Sequence, residues 1–482
     1  KDATPFNIQW VGPRPTFIDI GSFTAYHAGD PWAGYRQFCE LFLYPLLLQA
    51  YKNVPFHAWL RGNLDGIEAE QCRSLLAARV DVNAAQGDGA TALHWASYWD
   101  DLRAAELLAN AGADVNAAND LGATPLWNAS LNGSVQMVRS LLDAGGDANA
   151  ALLSGESPVM TAARTGNAQV VRLLLAAGAN PNATAARGQT ALMWAASQRH
   201  PEAVRALIES GADVRARSET WSMVMAIPPH AIEGNQQDVP HGGNTPLLFA
   251  ARVGGLSSAR LLVEAGADID ASDAWGVSAT TLAAHSGLSE LVELLLDAGA
   301  DPDAAAAGFS ALHVAVMRRD AKIVGMLLEH GADPNAQLAT WTPTRRASRD
   351  WSIHPALVGA SPFWLAARFS QPDVMRMLAE HGADPLFVHH ADYMRTIGTY
   401  GAERANEATT ALMAAVGMGG SRRMRAFVSA DPAELEALIL EAVRVAVALG
   451  VDVDAVDEQG RTAADVTRYD SVVDLLSGVG RQ

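Results

Sequence analysis

The hexapeptide TALHWA at residues 91–96 returns nine times along the chain in copies that keep the same layout. The starts of successive copies lie 33, 33, 33, 55, 33, 32, 51, 49 and 52 residues apart. Self-similarity at a fixed period near 33 predicts a stack of similar units in place of one globular core. The ten copies are TALHWA (91–96), TPLWNA (124–129), SPVMTA (157–162), TALMWA (190–195), TPLLFA (245–250), SATTLA (278–283), SALHVA (310–315), SPFWLA (361–366), TALMAA (410–415) and the weaker TAADVT (462–467).

A second motif, Gly-Ala-Asp or a close variant, follows eight of these copies by about 21 residues and recurs as a variant at Gly450. The chemistry of both motifs predicts a helix–turn–helix unit. Thr or Ser at the first position caps a helix by accepting a backbone N–H, and Pro or Ala next suits the first turn. Leucines such as those at 294–296 have helical spacing, and the following Gly ends that helix because it adopts positive φ cheaply.

The T-P-L-H-x-A pattern at this period resembles the ankyrin-repeat family over about residues 80–482. This resemblance implies a mostly α fold, a solenoid of about ten helix–turn–helix repeats with finger hairpin insertions. It also implies a scaffold for protein–protein interaction that binds a macromolecular partner through its concave face and finger loops. On this view the chain is not an enzyme, uses no cofactor and has no catalytic residue.

Longer gaps between repeats indicate insertions near residues 218–242, 338–358 and 387–408, each between a Gly-Ala-Asp turn and the next helix. Those segments are the fingers of the array, and insertions on one face often mark the binding face. A fourth excess near 417–440 reads as a loop and an extended helix that begins at Asp431 or Pro432.

The three finger insertions contain aromatic, Met and Arg side chains, which are the types that carry binding energy at interfaces. An equally weighted alternative is that these aromatics fold the insertions back onto the solenoid. If they bind a partner, the predicted anchors are Trp221, Met225, Trp341, Arg345, Trp351 and Tyr393.

Composition narrows the choice of partners. The net charge of −18 disfavours nucleic acid, and two cysteines, Cys39 and Cys72, are too few for a disulfide framework. The apolar run at 38–50 is shorter than the roughly 20 residues of a membrane span, so we expect a buried helix and no membrane insertion. His389 and His390 lack a third placed ligand, which predicts surface histidines and no metal site. We expect a monomer in the cytoplasm, or a secreted or periplasmic protein if an export signal lies upstream of Lys1.

Residues 1–79 do not follow the repeat. The stretches KDATPFNIQWVGPRPTFIDIGSF (1–23) and DPWAGYRQFCELFLYPLLLQAYKNVPFHAWLRGNLDGI (30–67) resemble part of the N-terminal region of bacterial SAM-dependent methyltransferases. No glycine-rich SAM-binding loop follows, so methyltransferase activity is not carried over. Asp2, Asn7 and Asp19 also resemble the spacing of a kinase catalytic loop and metal-binding Asp, which predicts a kinase-like remnant. The alternative function is therefore a truncated or fused methyltransferase-family protein that uses the array as a targeting arm.

Overall fold

The structure is a computed structural model of the whole chain. It describes residues 8–11, 14–17, 43–44, 46–47, 81–226, 236–342, 353–397, 401–420 and 431–479. Near the start, β1 (Ile8–Val11) and β2 (Arg14–Phe17) form an antiparallel hairpin. The predicted kinase-like residues Asp2, Asn7 and Asp19 lie outside the described residues. Leu46, in the run expected to be a buried helix, is exposed.

Ten helix pairs follow in the described part of the chain, as the repeat count predicts. In every pair the first helix begins directly after the Thr or Ser of the hexapeptide. The helices are α1 (Ala92–Tyr98), α2 (Leu102–Asn110), α3 (Pro125–Asn132), α4 (Val135–Asp143), α5 (Pro158–Thr165), α6 (Ala168–Ala176), α7 (Ala191–Ser197), α8 (Pro201–Glu209), α9 (Pro246–Val253), α10 (Leu256–Glu264), α11 (Ala279–His285), α12 (Ser289–Asp297), α13 (Ala311–Arg318), α14 (Ala321–Glu329), α15 (Pro362–Arg368), α16 (Pro372–Glu380), α17 (Ala411–Ala415), α18 (Pro432–Ala448), α19 (Ala463–Val466) and α20 (Asp470–Val479).

The chain divides into two compact units. The described residues up to Ala162, together with Gln169–Asn180, form the first unit, and Ala163–Ala168 with the described residues from Pro181 onward form the second. In the first unit α1 packs on α3 and α2 on α4. In the second unit the first helices α7, α9, α11, α13, α15 and α17 pack in succession, and so do the second helices α8 to α18. Each unit therefore buries a continuous core between neighbouring pairs, as a solenoid does.

The hexapeptide's polar residues build the helix starts. The side chain of Thr124 accepts a hydrogen bond from Trp127 N at 3.2 Å. In two repeats a buried histidine adds to this cap: His313 Nδ1 lies 3.2 Å from Ser310 N, and its Nε2 lies 3.0 Å from the carbonyl of Ala336. A carbonyl only accepts, so Nε2 carries the proton and Nδ1 accepts. His313 is therefore a structural link to the following turn, and His94 makes equivalent contacts.

A row of side chains links each turn to the next. Asn116 Nδ2 donates to Gly145 O at 3.0 Å while its Oδ1 accepts from Asp147 N at 2.7 Å. Across the first insertion the corresponding donor is Arg215, whose Nε donates to Gly266 O at 3.1 Å. The repeats on either side of this insertion are thus joined as if it were absent. We call this row the turn ladder.

The insertions leave the stack as three fingers, numbered in chain order. Finger 1 (218–242) contains the antiparallel strands β3 (Thr220–Ala226) and β4 (Gln236–Gly242). Finger 2 (338–358) is described at 338–342 and 353–358, where a 3₁₀ turn spans Pro355–Leu357. Finger 3 (387–408) contains β5 (His389–Ile397), which pairs with β6 (Gly401–Thr409).

The fourth excess adopts the predicted extended helix. Its described part is α18, which has 17 residues and is capped by the side chain of Asp431. In the described residues, no helix combines the length and hydropathy needed to span a bilayer.

Candidate partner-binding surface

At the base of finger 1, neighbouring side chains pack against the indole ring of Trp221. Trp221 on β3 lies opposite His241 on β4, and their rings stack at 5.5 Å with an interplanar angle of 22°. The guanidinium carbon of Arg187 lies 4.0 Å from the centroid of the indole. Gly242 has φ +84°, and a Cβ added there would lie 1.9 Å from Glu219 O and 2.9 Å from the indole. Only glycine permits this approach of the two strands, so the packing around Trp221 depends on glycine at this position.

Finger 1 presents apolar side chains to solvent. Trp221 is 37% exposed, Met223 43% and Val224 60%. Met225, a predicted anchor, pairs with Gln237 along the strand, and its side chain lies outside the described residues. Three neighbouring exposed apolar residues on one ordered strand are typical of an interaction surface.

Finger 2 is closed at its base by one residue on each side. Thr342 N donates to Ile353 O at 3.0 Å, and Ile353 N donates to Thr342 Oγ1 at 2.7 Å. Trp341, a predicted anchor, is half-buried beside this closure. Arg345 and Trp351 lie outside the described residues, so their assignment as anchors stays a prediction.

Tyr393, a predicted anchor, lies inside finger 3 and not on its surface, as in the alternative in which these aromatics fold the insertions back onto the solenoid. It is 5% exposed and donates a hydrogen bond from its hydroxyl to Glu407 Oε1 at 3.1 Å. Its ring meets His354 edge to face at 5.7 Å. Burial, and next the charge of Glu407, raise the pKa of Tyr393 to about 12. Strand alternation turns this ring toward the 3₁₀ turn of finger 2, so it folds the finger back on the solenoid.

The opposite face of finger 3 is exposed and mostly charged. Met394 is 55% exposed. Arg404 Nε donates to Asp392 Oδ1 at 2.8 Å, and this contact holds the pKa of Asp392 below its usual range. On the Tyr393 face, one pair nearer the tip, Arg395 forms an ion pair with Glu403. Met394, next to the buried tyrosine, is therefore an exposed apolar side chain within a mostly charged face.

The histidines of finger 3 are not brought together. His389, expected at the surface, is fully buried, and its Nε2 lies 3.0 Å from Val358 O. Burial lowers the pKa of His389 despite that hydrogen bond, while the neighbouring His390 is exposed. Among the residues that the structure describes, no group of three or more His, Cys, Asp or Glu side chains is placed to hold a metal ion.

Buried polar atoms cluster beneath finger 3. The Trp364 and His389 rings lie 4.3 Å apart, and Thr409 is the cross-strand partner of His389. In the described structure, Trp364 Nε1, His389 Nδ1 and Thr409 Oγ1 have no hydrogen-bond partner. Gly419, at φ +79°, packs against this group, since an added Cβ would lie 2.9 Å from Trp364 Cζ2. The base of finger 3 is therefore tightly packed.

Aromatic residues also lie on the first helices within each unit. Trp95 and Trp127 are half-buried in the first unit, and Trp194 and Phe249 are half-buried in the second. Arg164 lies over the ring of Trp194, 5.7 Å from its centroid. Half-buried aromatics on successive first helices form an apolar face that remains partly open to solvent.

Comparison with known proteins places the fold. The family model for ankyrin repeats matches three segments, residues 64–152, 126–218 and 247–337, and these cover just over half of the chain. The chain belongs to the ankyrin-repeat family. The ankyrin repeat domain of human ASB11 matches with 24% identity and a TM-score of 0.42, over 51% of this chain and 100% of that domain.

Another match concerns a short piece of sequence. The nodulation protein NoeA of Rhizobium meliloti (strain 1021) is 47% identical over 79 residues, which is 16% of this chain and 17% of NoeA. The chain thus spans about a sixth of this relative. The resemblance of residues 1–79 to methyltransferases stays a prediction.

Sequence reasoning on this ankyrin array missed several surface residues. Arg187 sits in the turn of the preceding repeat and contacts finger 1 only in the folded chain. Met223 and Val224 were passed over for Trp221 and Met225, although all four lie on one strand. Met223 and Val224 lie on opposite faces of β3 and both are exposed, because the finger projects from the stack with solvent on each side.

Proposed function

We propose that this ankyrin-repeat protein is a non-enzymatic scaffold that binds a partner protein through its fingers and the concave face of its first helices. Ankyrin repeats are a protein–protein interaction module, and the use of the fingers here is specific to this chain. Trp221 in finger 1 and Trp341 in finger 2 remain proposed anchors. In finger 1 we add Met223 and Val224. In finger 3 Met394 replaces Tyr393.

The observation that supports this proposal most is the set of exposed apolar side chains on β3 of finger 1. Exposed apolar side chains on a mobile loop lose conformational entropy when they bind, whereas those on a paired strand have already been ordered. The indole of Trp221 is contacted by both Arg187 and His241. Binding through this strand therefore gains apolar burial with a small ordering cost.

Affinity capture with surface variants tests the proposal. Val224→Asp places a charge on the finger, and Val456→Asp places the same charge on an equally exposed valine (57%) near the other end of the chain. We expect Val224→Asp to lose the captured partner at least tenfold and Val456→Asp to retain it. Both variants are checked for cooperative urea unfolding.

A second arm replaces each finger by a hairpin of ordinary length. If capture survives the shortening of all three fingers in a chain that still unfolds cooperatively, finger binding is wrong. If capture is lost only when finger 1 is shortened, binding through the concave face and through the other two fingers is wrong.

A further inference from the structure

The outer edge of β3 is open for another strand. Pro240 on β4 pairs with Ser222 on β3. Proline has no N–H, so it fits a two-stranded ladder only where its nitrogen faces away from the partner strand. The C=O of Gly242 also faces outward, since it accepts from Ala274 N at 2.9 Å. Backbone groups that face outward recur every second residue.

The outer edges of β3 and β4 differ in the backbone groups that they expose. The outer edge of β4 lacks a donor at Pro240 and lies beside the next repeat at its base. On β3 the N–H and C=O groups of Ser222 and Val224 point to the outer edge, where no described residue bonds them. Strand addition is therefore disfavoured at β4 and favoured at β3.

The outer edge of β3 begins beside the turn of the preceding repeat that contains Arg187. Glu219 N donates to the carbonyl of Arg187 at 2.8 Å. Arg187 has φ +62°, a left-handed conformation that is strained for a residue other than glycine. This turn places the guanidinium on the face of Trp221, at the point where an added strand would meet the finger.

Arg187 pairs with no carboxylate among the residues that the structure describes. Its side chain is exposed and makes no ion pair or hydrogen bond with any described residue. Glu219 approaches Gly188, the residue after Arg187, but its carboxylate does not pair with Arg187. Asp238 lies opposite Val224, on the other face of the finger. Stacking on an indole leaves the N–H edge of a guanidinium available to a carboxylate.

We propose that an extended segment of the partner protein adds as a third strand to β3 beside Ser222–Val224, and that a carboxylate side chain of this segment pairs with Arg187. This inference rests on the proposed binding through finger 1 and names the chemistry of the bound segment. Backbone hydrogen bonds supply affinity, the apolar side chains Trp221 and Met223 pack on it, and Arg187 selects an acidic residue.

Two capped heptapeptides test this pairing with the full chain, one alternating valine with glutamate and the other alternating valine with lysine. The chain carries a net charge of −18, so general electrostatics favours the lysine peptide. We expect the glutamate peptide to bind at least tenfold more tightly and to slow hydrogen exchange at residues 220–226. A glutamate peptide methylated at alternate backbone nitrogens is expected not to bind.

Variants separate the guanidinium from the rest of the finger. Arg187→Gln is expected to weaken the glutamate peptide roughly tenfold, as loss of a charge-assisted contact does. Arg199→Gln is the matched control, because Arg199 is also exposed with positive φ in the same repeat but lies away from finger 1. Equal affinity for the two peptides, no effect of Arg187→Gln, protection outside β3, or no binding at millimolar peptide would each overturn the inference. Partner capture that still depends on Val224 would leave the proposed function standing in that case.

Discussion

Single side chains in the turn ladder decide how well neighbouring repeats are joined. Asn335 serves both sides of its junction: its Nδ2 donates to Gly382 O at 2.9 Å and its Oδ1 accepts from Asp384 N at 2.7 Å. Asp303 holds the same position one turn earlier in the sequence and accepts from Asp333 N at 2.8 Å. A carboxylate has no proton to donate, so the Asp303 junction lacks the second bond.

Asp303→Asn is expected to stabilise the second unit. The amide keeps the acceptor for Asp333 N and adds a donor toward the Gly331 carbonyl, a gain of about 1 kcal/mol for one hydrogen bond. Burial, and next the charges of Asp333 and Asp301, raise the pKa of Asp303. The carboxylate is therefore disfavoured in the fold at neutral pH, and the benefit of the substitution shrinks as the pH falls and Asp303 becomes protonated. Urea unfolding at pH 7 and pH 4 measures both effects.

Asp301→Asn is the control for this change, because Asp301 Oδ1 accepts only the local bond from Asp303 N at 2.9 Å. Equal gains from the two variants would show that removal of charge, and not the ladder bond, stabilises the junction.

The elements differ in how far the sequence predicts them. The ten helix pairs follow from the repeated hexapeptide because each copy carries its own Thr or Ser at the helix start and nine copies are followed by a glycine that ends the second helix. The extended helix α18 was also predicted, together with its start at Asp431 or Pro432. The sequence leaves open whether Tyr393 faces a partner or folds back onto the solenoid, because this depends on strand register and on a contact with His354 in another finger. Long-range contacts of this kind leave no local pattern in the sequence.

Finger 3 is held at its base by close packing around one glycine. Gly419→Ala places a Cβ 2.9 Å from Trp364 Cζ2 and 3.1 Å from Thr409 Oγ1, at φ +79°. We expect the free energy of unfolding of this region to fall by about 2–4 kcal/mol, the sum of left-handed strain and overpacking. Hydrogen exchange of β5 and β6 measures the loss.

Gly382→Ala isolates the packing contribution. Gly382 has φ +90°, but an added Cβ meets nothing within 4 Å, so this variant pays the backbone strain alone. If both variants speed exchange in finger 3 equally, the tight contact with Trp364 does not hold the finger.

The whole molecule carries buried neutral histidines in both units. Burial lowers the pKa of His94 in the first unit and of His313, His354 and His389 in the second. The largest shift is at His313, whose pKa falls from 6.5 to about 4. An unfolded chain protonates these rings near pH 6.5, whereas the folded chain resists protonation.

Acid is therefore expected to destabilise the array before its carboxylates titrate. The stabilisation by neutral His313 is fully present above pH 6.5, declines as the pH falls below that value, and amounts to a loss of about 3 kcal/mol by pH 4. Two carboxyl groups whose pKa is raised by burial, Asp273 and Asp303, act in the opposite direction as they become protonated. Urea unfolding at pH 7 and pH 5 should show the decline, and His313→Gln should reduce it. His330→Gln is the control, because hydrogen bonding to Met326 O raises the pKa of that exposed ring. A stability that stays flat between pH 7 and pH 5 would mean that the histidines of the caps do not join the repeats in the way their contacts indicate.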